Sequence, residues 1–94
     1  MEISKRNYGE YSSGNYGAHT QQIDIGNVRL FFSYDTVIAF NDAGRNVVCE
    51  NVWGTTTGKH LNWIDGGNKK SRLPVAEFDE QLKEMLKGHN LIVS

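Results

Sequence analysis

Seven consecutive residues, Gly54-Thr55-Thr56-Thr57-Gly58-Lys59-His60, gather three hydroxyls, an ammonium and an imidazole. A phosphate-binding loop would need four residues between its glycines and a Ser or Thr after the lysine to hold Mg²⁺. Here three threonines separate the glycines and His60 follows Lys59. The next helical pattern opens only at Pro74, so a nucleoside-triphosphate site is excluded. His60 and Asp65 could act as base and carboxylate in a small hydrolase. Yet Thr55, Thr56 and Thr57 are also what a glycine-bounded turn uses to satisfy its own backbone. No catalytic residue is therefore expected. His19, His60, His89 and Cys49 lack metal-ligand spacing, so neither a metal nor a cofactor is expected.

The longer stretch from Trp53 to Arg72 is more informative. It interleaves Trp53 and Trp63 with Thr55, Thr57, His60 and Asn62 and with the cations Lys59, Lys69, Lys70 and Arg72. Indoles beside a cationic groove hold single-stranded nucleic acid by stacking and phosphate attraction. Aromatic and arginine anchors inside a polar rim equally describe a protein interface. A third reading buries both indoles in the core and leaves the cations to solvate a loop.

The elements that must position these residues follow from periodicity. Residues 19–25 and 28–34 alternate in polarity around Gly26-Asn27, a dipeptide suited to a two-residue hairpin. Val37-Ile38-Ala39-Phe40 resumes the strand pattern, Asn41-Asp42-Ala43-Gly44 turns, and Arg45 to Trp53 forms a partner strand. Val47, Val48 and Cys49 make that strand apolar on both faces, as for a strand covered on each side. Residues 54–58 are expected as a turn and 59–65 as an irregular or extended stretch, within a meander running over 19–65. Val75, Phe78, Leu82, Met85 and Leu86 form one helical stripe, so a helix is predicted over 75–87, with Pro74 in its first turn and Gly88 just beyond its end. The Gly-, Ser- and Tyr-rich residues 7–17 read as a flexible arm or irregular edge strand. An edge strand there could pair with a second copy into a homodimer. The expected fold is α+β: four or five antiparallel strands in a meander, with one C-terminal helix packed on one face.

Composition bounds the rest. Ninety-four residues, 38% of them hydrophobic, suffice for a single domain with a thin core. A net charge of −1 argues against a DNA-wrapping protein. The charge is uneven, because Lys59, Lys69, Lys70 and Arg72 face only Asp65 between residues 59 and 72. The lone Cys49 can form no internal disulfide, and neither a secretory leader nor a membrane-spanning run is visible, so the cytoplasm is the expected compartment.

Asn15-Tyr16-Gly17-Ala18-His19-Thr20, Ser33-Tyr34-Asp35-Thr36 and the run from Glu50-Asn51-Val52-Trp53 to His60-Leu61-Asn62 resemble a family of small single-domain proteins of phages and prophages, filed as a domain of unknown function. The resemblance covers residues 15–80 and carries no catalytic residues with it. It implies a mobile-element context, in which small proteins, anti-restriction and anti-CRISPR proteins among them, often bind and block a host machine. The leading expectation is thus a non-enzymatic protein that docks on a host protein or nucleoprotein. The alternatives are a single-stranded nucleic-acid module on the same surface and a small hydrolase centred on His60.

Overall fold

The computed structural model describes residues 3–9 and 19–89. Five strands run in simple antiparallel succession: β1 (Ile3–Arg6), β2 (Thr20–Ile25), β3 (Val28–Ser33), β4 (Thr36–Asp42) and β5 (Arg45–Val48). Two helices follow, α1 (Thr55–Asp65) and α2 (Val75–Gly88), separated by a short 3₁₀ turn at Lys69–Ser71. The α+β class, the antiparallel meander and the C-terminal helix are as the alternation and the apolar stripe predict. The helix boundaries differ slightly: Pro74 is the N-cap and Gly88 is the last helical residue.

Alternation along each strand sends two apolar sets to opposite faces. One face carries Val28, Leu30, Phe40, Val47 and Cys49, packed against Phe78 and Met85 of α2. The rings of Phe40 and Phe78 lie 5.7 Å apart. The other face carries Phe31, Ile38, Ala39 and Val48, packed with Tyr8 and with Leu61 of α1. A register shift between Phe31 and Phe32 makes this second set possible. Phe31 opposes Ala39 and Phe32 opposes Val37, which leaves Ile38 as the extra residue of a bulge. A bulge lets neighbouring residues share a face, and Ile38 and Ala39 both join the α1 side.

The helix over residues 55–65 corrects the expectation of a turn and an irregular stretch. Three β-branched threonines and a glycine give this segment weak intrinsic propensity. Thr57, His60, Leu61 and Ile64 nevertheless stand at i, i+3, i+4 and i+7. All but the partly buried Ile64 are fully packed away. Tertiary burial of that stripe outweighs local preference. Gly66 ends the helix in the left-handed region at φ 67°, where a side chain would be strained. The sheet is consequently covered on both faces, not on one.

A second correction concerns the last strand, which stops at Val48 instead of reaching Trp53. From Cys49 the chain pairs in parallel with Leu73. Leu73 N–H donates to Val48 C=O and Glu50 N–H to Leu73 C=O, both at 2.8 Å. This bridge pairs the outer side of the chain from Val48 to Glu50, at the end of β5. At the opposite edge β1 pairs with β2, Ile3 opposing Ile25 and Arg6 opposing Gln22. Beyond β1, Tyr8 turns inward, and its hydroxyl donates to Phe32 C=O at 2.8 Å. The expectation for the Tyr-rich residues 10–17 lies outside the described residues.

If both helices are integral covers, truncation on either side is costly. Phe78→Ala should lose about 3–5 kcal/mol and Leu61→Ala about 2–5 kcal/mol of unfolding free energy in a urea titration. A Leu61→Ala cost below about 0.5 kcal/mol would show α1 to be unpacked.

Candidate partner-binding site

α1 divides the residues singled out in the sequence into an inner and an outer set. Thr57 and His60 face the sheet, and His60 is 0% exposed. Its Nδ1 shares a 2.8 Å hydrogen bond with Ser33 Oγ, which also meets Thr57 Oγ1 at 2.9 Å. Ser33 has one proton for two partners, so its oxygen accepts at least one of the two bonds. All three residues are buried, and the chain of hydroxyl, hydroxyl and imidazole fastens α1 to β3. Tyr8 adds an aromatic edge to His60 at a centroid distance of 6.1 Å.

Asp65, the expected carboxylate partner of His60, is engaged elsewhere. Its two oxygens take Arg72 Nε at 2.7 Å and Nη2 at 3.0 Å, with the side chains only 8% and 4% exposed. Gly67 N–H donates to the same carboxylate at 2.9 Å. Burial by itself would raise the Asp65 carboxyl, but the hydrogen bonds from Arg72 and Gly67 and the guanidinium charge hold it below the ordinary carboxylate value. Arg72 thus closes the loop after α1. Cys49 is buried, and desolvation, aided by Asp79 and Glu50, pushes its thiol up to about 11, which leaves it unreactive at neutral pH.

The outer set is Trp53, Thr55, Lys59, Asn62, Trp63, Lys69 and Lys70, all exposed. Trp53 is 42% and Trp63 48% exposed, although Trp63 rests partly on Tyr8, with ring centroids 5.5 Å apart. Trp53 is placed by Asn51. The Asn51 Oδ1 accepts from Trp53 N–H at 3.0 Å and Gly54 N–H at 3.3 Å, while its Nδ2 donates to Gly54 C=O at 2.9 Å. A Cβ on Gly58 would come within 3.0 Å of that Nδ2, so glycine lets the turn seat against the helix.

A cavity of about 330 Å³ opens at the start of α1, walled by Ser33, Tyr34, Thr36, Ile38, Trp53 and the first turn of the helix. Tyr34 was not among the residues selected from the sequence. It is 49% exposed and occupies a hairpin turn at φ 55°, a conformation that costs a bulky side chain roughly 1–2 kcal/mol. The His19 imidazole stacks on its ring at 4.1 Å, and Tyr34 N–H donates to His19 C=O. Tyr34, Val52 and Trp53 are all large, exposed and close to this opening in sequence or lining. A bulky aromatic at a turn position that favours Gly, Asn or Asp was the available sequence signal.

The model of a family of unknown function, DUF8033, matches residues 1–80. The chain belongs to this family. No curated protein and no solved structure matches it. Membership in DUF8033 agrees with the resemblance read from the sequence motifs, while the family description says nothing of phage origin. Among the described residues of this DUF8033 member, no helix is long and apolar enough to cross a membrane, and no three His, Cys, Asp or Glu cluster as a metal set would.

Two variants test the inner architecture. Ser33→Ala removes the hydroxyl that Thr57 Oγ1 and His60 Nδ1 share and should cost about 1–3 kcal/mol in chemical denaturation. Because the folded Asp65 carboxyl sits below its unfolded value, its contribution is complete at neutral pH and fades as pH falls below about 4. Asp65→Asn should therefore lose about 3 kcal/mol at pH 7 and show a shallower decline on further acidification.

Proposed function

We propose that this is a non-enzymatic binding protein that docks on another protein through the aromatic mouth lined by Tyr34 and Trp53, with the exposed Val52 next to Trp53 in the chain. Trp63 and Lys59 extend the contact along the outer face of α1. The partner is a host protein or nucleoprotein, met in the cytoplasm. The observation carrying this reading is the pairing of two half-exposed aromatics, one in a strained turn, around a cavity of about 330 Å³. Exposed aromatics beside a pocket are the usual anchors of a protein interface. The hydrolase alternative is weakened, since His60 is sealed from solvent and Asp65 is committed to Arg72.

Single-stranded nucleic acid is the second reading, favoured by the exposure of Trp53 and Trp63 together with Lys59, Lys69 and Lys70. Against it, Arg72 is already paired with Asp65, which removes one of the four cations counted in the sequence.

The test is affinity capture with wild type, Trp53→Ala and Tyr34→Asn, each with and without nuclease. We expect a stoichiometric partner that survives nuclease and modest salt. Trp53→Ala should weaken binding by about 2–4 kcal/mol while leaving the unfolding free energy within about 0.5 kcal/mol of wild type. Tyr34→Asn should also release the partner, with folding stability unchanged or raised because the turn strain is relieved. Loss of capture on nuclease treatment, with steep salt dependence, would favour nucleic acid instead.

A further inference from the structure

A second cavity, of about 370 Å³, is lined by Glu50, Asn51, Gly58, Asn62, Lys69 and Arg72 and shares no lining residue with the first. Its two amide oxygens are spent, and Glu50 supplies its one carboxylate. Asn62 Oδ1 takes Arg72 Nη2 at 3.0 Å, and Asn51 Oδ1 takes two backbone N–H groups. Its donors are not all spent. Among the described residues Arg72 bonds through Nε and Nη2 alone, so Nη1 has no partner there, although the side chain is 96% removed from solvent. A buried guanidinium nitrogen without an acceptor is uncommon, because each unmet donor there retains its desolvation cost. The Asn62 amide nitrogen and the Lys69 ammonium also carry no side-chain partner among the described residues.

We infer that this cavity is a binding site for a singly charged oxyanion, a carboxylate. Three kinds of N–H donor residue, Asn62, Lys69 and Arg72, line it, and charge-assisted bonds from Arg and Lys to carboxylate are the strong ones. Arg72 then lies between two carboxylates, Asp65 on its Nε side and the ligand on its Nη1 side. Glu50 sets the charge limit: its carboxylate on the wall opposes a dianion such as inorganic phosphate. A polyanionic strand is disfavoured for the same reason. The site does not depend on the docking surface proposed above, whose cavity has none of its lining residues.

The experiment is an NMR titration of the ¹⁵N-labelled full chain with sodium acetate, matched against sodium chloride at constant ionic strength. Saturable shifts of the Asn62 side-chain amide, the Arg72 Nε–H and the Gly58 amide are expected with acetate only. Lys69→Glu reverses one charge without touching the Asp65–Arg72 pair, and should weaken acetate binding about fivefold or more with no change in melting temperature. A short peptide with one glutamate, blocked at both ends, separates the sources. Tighter binding than acetate assigns the carboxylate to a protein side chain, and equal binding assigns it to a small acid. Shifts that match chloride, fail to saturate or survive Lys69→Glu would overturn the site. Stronger saturation by dimethyl phosphate than by acetate would overturn its assignment to carboxylates.

Discussion

One buried hydroxyl governs how this protein presents itself. Ser33 Oγ stands between Thr57 and His60, within 2.9 Å of both, and so ties the first and second turns of α1 to the end of β3. A helix rich in threonine and glycine has little reason to persist alone. Fastened there, with Leu61 buried below, it covers the second face of the sheet. It also turns the remaining residues of the segment outward. The rotational phase of α1 decides that Trp63, Lys59 and Asn62 meet solvent while His60 does not.

Two cavities border the short segment that leads into α1. Residues Glu50 to Gly54 leave the sheet after the parallel pairing of Cys49 with Leu73 and climb to the helix start. Asn51 folds that ascent into a turn by bonding Trp53 and Gly54, and Gly58 gives it room. The helix start, Tyr34 and Trp53 line one of them, and Arg72, Asn62, Lys69 and Glu50 line the other. The first is uncharged and aromatic, the second charged and rich in nitrogen donors, so their chemistries differ although both draw on residues of that segment.

Much of the frame was legible in the sequence. Alternation around Gly26-Asn27 and Ala43-Gly44, the two-sided apolar character of Val47 to Cys49 and the stripe from Val75 to Leu86 each reported burial directly. What escaped was α1, because its local preferences point away from a helix while its stripe of Thr57, His60, Leu61 and Ile64 mixes two polar residues with two apolar ones. A polar residue counts toward an inward face only when its partner is known. Ser33, lying 24 residues before Thr57 and 27 before His60, gives no hint of that role. Arg72 was misjudged for a related reason. Charge counts treat every cation as available, and pairing with Asp65 appears only once the loop has closed. Tyr34 could have been noticed, since a tyrosine at a hairpin turn pays a conformational cost that asparagine or glycine avoids.

The most direct measurement of this account is native-state hydrogen exchange at the α1 amides. The amides of Leu61 and Ile64, inside the helix on its packed face, should exchange only through near-global unfolding, as slowly as those of Phe40 or Leu30 in the sheet. Exchange of Leu61 and Ile64 at the rate of an exposed loop, with the sheet still protected, would contradict it.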